Sequence, residues 1–395
     1  MRQAQAWSRG GVGALLVLAV LASAHLEAPS QASEPGAATP SPEPVAYPEP
    51  PLAAGALPIT GLQGADAEGG LFPATQATVD AVPAEGPVAA RSTLRFGSDD
   101  GSSVLLARMG LKPDYATVWA GSWSYLNWDA LAARVHRIAD MGVVPVVEWY
   151  YWGDDLSRAC VTSGCWSAGH GVWKSQLLWD LEAWFLADAV HRGLDGRPGI
   201  VVLESEFNKR DLPGWPMFND MLLAQMGKIR ERAPEAQVAL GFGNWYPEGW
   251  AVFERAAQAA DLVGLQTMRA GTRDAEERYL GAPGALVEAA QRLHTLFGKP
   301  ILLHDVALSS WPSPLYDQDQ AAALRGVFAR LGDLEQAGVV GLVYRSITDH
   351  PTASTAGFFG EAERHFGFRS ASGDAKPALA VWEKGVREAR GEATG

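Results

Sequence analysis

"GIVVLESEFN", residues 199–208, is the stretch that decides the fold. Val201, Val202 and Leu203 form an apolar run of strand length, opened by Gly199, and read as a strand buried on both faces. The run passes directly into Glu204, Glu206 and Asn208. A buried strand with polar groups at its C-terminal tip alone belongs to a parallel sheet whose chemistry is gathered at one rim.

The same pattern recurs along the chain. Besides 199–207, strands are expected at 93–98, 115–121, 143–151, 237–243, 261–268, 300–307 and 339–346. Helical periodicity follows them at 129–141, 174–192, 216–232, 248–260, 283–297, 318–336 and 374–389, with a short, weak pattern near 102–109. Gly142 and Gly338 stand just past two of these helices, where a positive φ is tolerated. Eight strand–helix units in about 300 residues predict an α/β fold of the closed (β/α)8 TIM-barrel type. An open doubly wound sheet is the runner-up, but no strand is followed by a Gly-rich phosphate loop.

Taken in order, the strand tips carry Asp99 and Asp100, Trp119 and Trp123, and Glu148 with Trp149 and Trp152. Glu204, Glu206 and Asn208 follow, then Asn244 and Trp245, Gln266, His304 and Asp305, and last Tyr344, Arg345 and Asp349. The opposite ends carry Pro145, Gly199, Pro300 and Gly338. Polar and aromatic side chains thus collect at the C-terminal rim. Converging acids there suit cleavage of a glycosidic bond. That reaction needs a proton donor for the leaving oxygen and a second carboxylate to trap the oxocarbenium-like centre or activate water. Glu204 and Glu206 share a face one layer apart, which makes Glu206 the exposed acid and Glu204 its deeper tuner or the partner of a buried Arg. Glu148, Trp149, Trp152, Asn208, Asn244, Trp245, Gln266 and Arg345 are candidate substrate contacts, with Arg345 also suited to pair with a rim acid. For Asp305 the open question is whether it or His304 points inward, since neighbours on a strand face opposite ways.

Composition agrees. The chain holds 15 Trp against 13 Phe and 9 Tyr, and the flat indole stacks on sugar rings while its N–H keeps a polar handle. A formal net charge of −13 argues against nucleic acid and anionic membrane surfaces as partners.

The first residues have the marks of a signal peptide (1–24): Arg2 and Arg9, an apolar "VGALLVLAVLA" at 12–22, and "ASA" at 22–24. Residues 25–90 are rich in Pro, Ala, Gly and Glu and read as a linker without a core of its own. The catalytic domain is expected over 91–390. The protein is therefore expected to be secreted or periplasmic, or held at the cell surface, with a mature form that is monomeric and not membrane-embedded. The two cysteines, Cys160 and Cys165, are expected to bridge in an oxidising compartment.

"SEFN" (205–208) resembles the "HEMN"-type stretch of family 26 mannanases, within the clan of retaining (β/α)8 glycoside hydrolases. "GKPILLHDVALSS" (298–310) resembles that clan's "KPIxxTEFG" strand 7, and "FFGEAERHFGFRSASGDAKPAL" (358–379) its C-terminal run. The resemblance implies Glu206 as acid/base and puts Asp305 at the nucleophile position. Asp305 stands where the clan has Glu, and Ser205 where it has His or Asn. The implied activity is an endo-acting glycoside hydrolase on a polysaccharide or oligosaccharide, without metal or organic cofactor. The alternative is a secreted carbohydrate-binding barrel without turnover. "RFGSDDGS" (95–102) also resembles the "TFDDG" of metal-dependent deacetylases, but no H-x-x-x-H pair accompanies it: Asp140 follows four residues after His136, and Gly298 four after His294.

Overall fold

The computed structural model describes residues 91–120, 127–149, 165–168, 171–174, 176–203, 216–244, 247–269, 276–350 and 360–392. The signal peptide and linker expected at 1–90 lie outside them. The eight expected strands are β1 (Arg95–Asp99), β2 (Tyr115–Ala120), β3 (Val144–Trp149), β4 (Gly199–Leu203), β5 (Ala236–Gly243), β6 (Leu262–Arg269), β7 (Ile301–Leu308) and β8 (Val339–Tyr344). All pair in parallel with their sequence neighbours, and β8 pairs with β1 to close the barrel.

The strands read as continuous apolar runs because both faces are covered. The inward set includes Tyr115, Val146, Ile200, Val202, Ala239, Leu262, Leu302 and Val343, packed against one another inside the barrel. The outward set, among them Val118, Val147, Val201, Val263, Leu303 and Tyr344, meets the helices. Phe96, Phe328, Tyr344, Phe368 and Trp382 form a cluster there, with Trp382 set at 90° to Phe96 at 6.1 Å between ring centroids. Trp149, Trp250 and Trp382 are all fully buried, so part of the tryptophan excess serves the core.

The helices are α1 (Asp100–Arg108), α2 (Trp128–Asp140), α3 (Gln176–Leu194), α4 (Pro216–Arg232), α5 (Glu254–Ala259), α6 (Glu276–Phe297), α7 (Asp317–Phe328), α8 (Leu331–Gln336) and α9 (Pro377–Ala389). Asp99 caps α1 by accepting from the Ser102 amide, and Asn127 caps α2 through a 3.1 Å bond from the Ala130 amide; each satisfies a donor the helix leaves open. Gly142 and Gly338 end helices with φ of +68° and +79°, as expected. The helix expected at 318–336 is divided into α7 and α8, and the one expected at 248–260 begins as a 3-10 turn (Pro247–Phe253) before α5. A two-stranded antiparallel hairpin, Cys165–Ala168 with Gly171–Lys174, lies between β3 and α3.

At the N-terminal pole the Ser92 amide donates to Ala389 O at 2.8 Å. The Ser92 and Thr93 hydroxyls donate to Glu335 at 2.7 and 3.0 Å. The entry to β1 is thereby bonded to the end of α9.

Candidate active site

Period-two alternation carries Val144, Val146 and Glu148 of β3 into the barrel and sends Val147 and Trp149 outward. Trp149 is 1 % exposed within the outer core, so the sugar-stacking role expected for it is corrected: its neighbour Glu148 occupies the inward place. Tyr344 also faces outward, with its hydroxyl donating to Phe366 O at 2.9 Å.

Asp305 is the centre of the described rim and is itself buried. Its Oδ2 accepts from Arg345 Nη1 at 2.5 Å and from Gln266 Nε2 at 2.8 Å. Its Oδ1 is buried and has no hydrogen-bond partner among the described residues. A buried acceptor left open costs about 1–3 kcal/mol, which a donor arriving from a substrate or a water removes. Arg345, just past β8, lies with Cζ 5.2 Å from the Trp119 ring centroid and 5.8 Å from that of Phe366. Two aromatic rings and a carboxylate thus position the guanidinium, and the Arg345 side chain stays 30 % exposed. Trp119 belongs to the rim by this contact, although the candidate substrate residues do not include it.

Gln266 and Asn244 sit side by side on β6 and at the end of β5, with the Asn244 amide donating to Gln266 O at 2.9 Å. Both are buried. Gln266 is thus a ligand of Asp305 first. Arg345 pairs with a rim acid, as expected, and that acid is Asp305.

Glu148 and His304 meet inside the barrel, Oε2 to Nδ1 at 3.2 Å, with both side chains fully buried. Glu148, expected as a substrate contact, thus has His304 as its neighbour across the barrel interior. The question of His304 or Asp305 resolves as both, because β7 carries a bulge between them and its neighbouring strands.

At the β1 tip, burial pushes the Asp99 carboxyl up from its ordinary 3.8, against hydrogen bonds from Ser102 and Ser346, and the neighbouring Asp100 charge raises it further. Asp100 is held in turn by Arg134, Nε to Oδ2 at 2.8 Å and Nη2 to Oδ1 at 2.9 Å. Asp349 lies off the rim, with Oδ1 accepting from Lys376 Nζ at 2.7 Å and from the Gly367 amide at 2.9 Å.

Trp152, Glu204, Glu206, Asn208, Trp245 and Cys160 lie outside the described residues, and with Cys160 the expected Cys160–Cys165 bridge. Among the described residues no group of three or more His, Cys, Asp and Glu is placed to hold a metal ion, and no helix is long and apolar enough to cross a membrane.

No protein-family model matches the chain, and no curated protein sequence does. Solved structures do. A GH5_18 protein from Streptomyces cattleya, solved with Manb1-4GlcNAc, superposes with a TM-score of 0.56 at 15 % identity over 76 % of this chain and 82 % of its own. An exo-β-1,4-mannosidase from Opitutaceae bacterium strain TAV5 gives 0.54 at 15 % identity, covering 78 % of this chain. The chain spans 62 % of that mannosidase's length. The GH53 catalytic domain of Ignisphaera aggregans gives 0.52 at 13 % identity, over 78 % of this chain and 98 % of its own. These neighbours are GH5 and GH53 glycoside hydrolases, and what they share with this chain is the (β/α)8 barrel. The family 26 likeness rests on the short "SEFN" motif alone.

Proposed function

We propose that the chain is an exported glycoside hydrolase that cleaves a neutral, β-linked oligosaccharide or polysaccharide at the C-terminal mouth of the barrel. The observation that carries the reading is Asp305: buried at the rim, held on one oxygen by Arg345 and Gln266, and open on the other. A β-linked substrate is supported by the mannosidase and the Manb1-4GlcNAc-bound neighbour. Neutrality is supported by the pairing of Arg345 with Asp305, which occupies that cation, and by the net charge of −13.

Glu206 is assigned the proton for the leaving oxygen, and Glu204 the tuning of that acid. Asp305 supplies the second carboxylate and works as a base on water. Two glutamates set for covalent catalysis stand about 5–5.5 Å apart, and inversion begins at about 6.5 Å. In such a pair, an Asp in place of one Glu, shorter by a carbon–carbon bond of about 1.5 Å, would widen the gap to about 6.5–7 Å, room for a water. Asp305 Oδ1 then takes a proton from that water, and the water oxygen bonds to the anomeric carbon. The glycosidic C–O bond breaks, and its electron pair leaves with the oxygen that Glu206 protonates. One water is consumed and the new hemiacetal has the opposite configuration. The basic, apolar start of the chain and the close cysteine pair support export.

The test combines a reducing-end assay on mannans, glucans and galactans with proton NMR of the first product. Release of ends with an inverted anomer is expected. Retention would assign Asp305 as a nucleophile. Saturable binding without new ends would leave a carbohydrate-binding protein.

A further inference from the structure

We infer that His304, braced by Glu148, is a positioning residue that aims Asp305 into the mouth. Consecutive residues of a regular strand face opposite sides, so His304 and Asp305 cannot both face inward without a local change of register. β7 makes that change. Leu303 pairs with Leu265 of β6, and the next pair is Asp305 with Gln266. On the other side Leu303 pairs with Leu342 of β8, and the next pair is Val306 with Tyr344. Against both neighbours β7 thus holds one residue too many. Leu302 faces the barrel interior and Leu303 the outer core; Val306 and Leu308 face outward again. His304 and Asp305 fill the gap between them, both inward.

An inward bulge interrupts the ladder and is kept only where something holds it. Here the hold comes from the far wall. β3 and β7 are four strands apart in either direction around the barrel, so the 3.2 Å approach of Glu148 Oε2 to His304 Nδ1, a polar contact outside hydrogen-bond geometry, spans the lumen and acts as a strut. The imidazole lies against Gly264 of β6, where an added Cβ would stand 2.8 Å from His304 Cδ2. Glu148 and His304 are as buried as Asp305 itself, and the role inferred for them runs through that carboxylate. Without the strut β7 relaxes toward a regular strand. A slip of one residue turns a side chain to the other face, and Asp305 leaves Arg345 and Gln266.

The kinetic part of the test rests on the glycosidase reading. His304→Phe keeps the ring and removes Nδ1. It should lower kcat by about 10²-fold, the cost of misplacing a reacting group by about 1 Å, with KM unchanged. His304→Asn, whose amide nitrogen overlays Nδ1, should recover part of the loss. In an Asp305→Asn background, His304→Phe should cost nothing more, since both act through one carboxylate. A folded His304→Phe with wild-type kcat, or losses that add in full, would overturn the inference. If His304→Phe does not fold, Gly264→Ala presses on the same ring and should lower kcat in the same way. A crystal structure of either folded variant reads the inference without any substrate: Asp305 should have lost its contacts to Arg345 and Gln266, and Asp305 still in place would overturn it. Absence of turnover in the wild type on every glycan would instead overturn the glycosidase reading and leave this structural readout intact.

Discussion

Two acid–cation pairs lie on β7 and just past β8, and their cations are held in different ways. In the Asp349–Lys376 pair it is the cation that is saturated. The ammonium, which has three donors, meets Asp349 Oδ1 at 2.7 Å, Ser310 Oγ at 3.0 Å and Gly367 O at 3.0 Å. Asp349 Oδ1 also takes the Gly367 amide, and Oδ2 lies 3.4 Å from His365 Nδ1. Asp305 concentrates two donors on one oxygen and leaves the other open. Lys376, with every donor used and 3 % of its side chain exposed, fixes the loops around it. Arg345 keeps 30 % of its side chain exposed, and its acid, Asp305, has one buried oxygen without a hydrogen-bond partner among the described residues.

The sharpest way to break this contrast is to remove both carboxylates by the same substitution. Asp305→Asn should lower kcat to a residual level, by more than about 10³-fold for a required acid or base, with an unfolding midpoint in urea close to wild type because the Arg345 side chain left behind is 30 % exposed. Glu206→Gln comes next, with a loss of about 10²–10⁴-fold on natural glycosides and a smaller loss on an aryl glycoside whose leaving group needs little protonation. Near-wild-type rates on a natural polysaccharide would remove Glu206 from the mechanism.

Asp349→Asn should reverse the pattern. Burial pushes the Asp349 carboxyl up even against Lys376, which marks the pair as expensive to desolvate. Taking one partner away leaves a buried ammonium, at a cost of about 3–5 kcal/mol. Urea unfolding should show that loss, while kcat of the remaining folded protein stays within a small factor of wild type. A large drop in kcat with stability unchanged would erase the distinction between the two pairs.

The smallest effect concerns Asp99, a partly buried acid at the tip of β1. Its folded pKa is raised, by burial first, so the folded protein binds that proton more tightly than the unfolded chain does. Stability therefore falls as pH rises from about 3.8 through the folded value, and stays lower above it. Asn caps a helix as well as Asp. Asp99→Asn should raise Tm at pH 7 and lose that advantage at pH 3. A pH-independent difference would mean that the cap, and not the charge, sets the effect.

Much of the barrel was legible because each strand is an apolar run with a polar C-terminal tip, a pattern that repeats eight times in the sequence. The same alternation places Glu148 inside, and applied one residue further it already sends Trp149 outward. The tryptophan count obscured that step, since composition does not say which face an indole takes. The inward pairing of His304 with Asp305 could not be read, because a bulge changes register without a sequence mark and depends on Glu148, 156 positions earlier. Lys376 was hidden for a similar reason: only the fold brings it to Asp349. The break between α7 and α8 falls at Ala329 and Arg330, inside an apolar periodicity that continues through both helices.

The bond from Ser92 to Ala389 has a practical consequence for anyone attaching this barrel to something else. Both ends of the folded ring emerge together at the pole from which the strands start, and the mouth opens at the other pole. A bead, a surface or a second protein joined directly at Arg91 or Glu392 would therefore sit behind the barrel, away from the mouth. The same proximity makes the two ends natural points to splice, with new termini cut into a loop elsewhere.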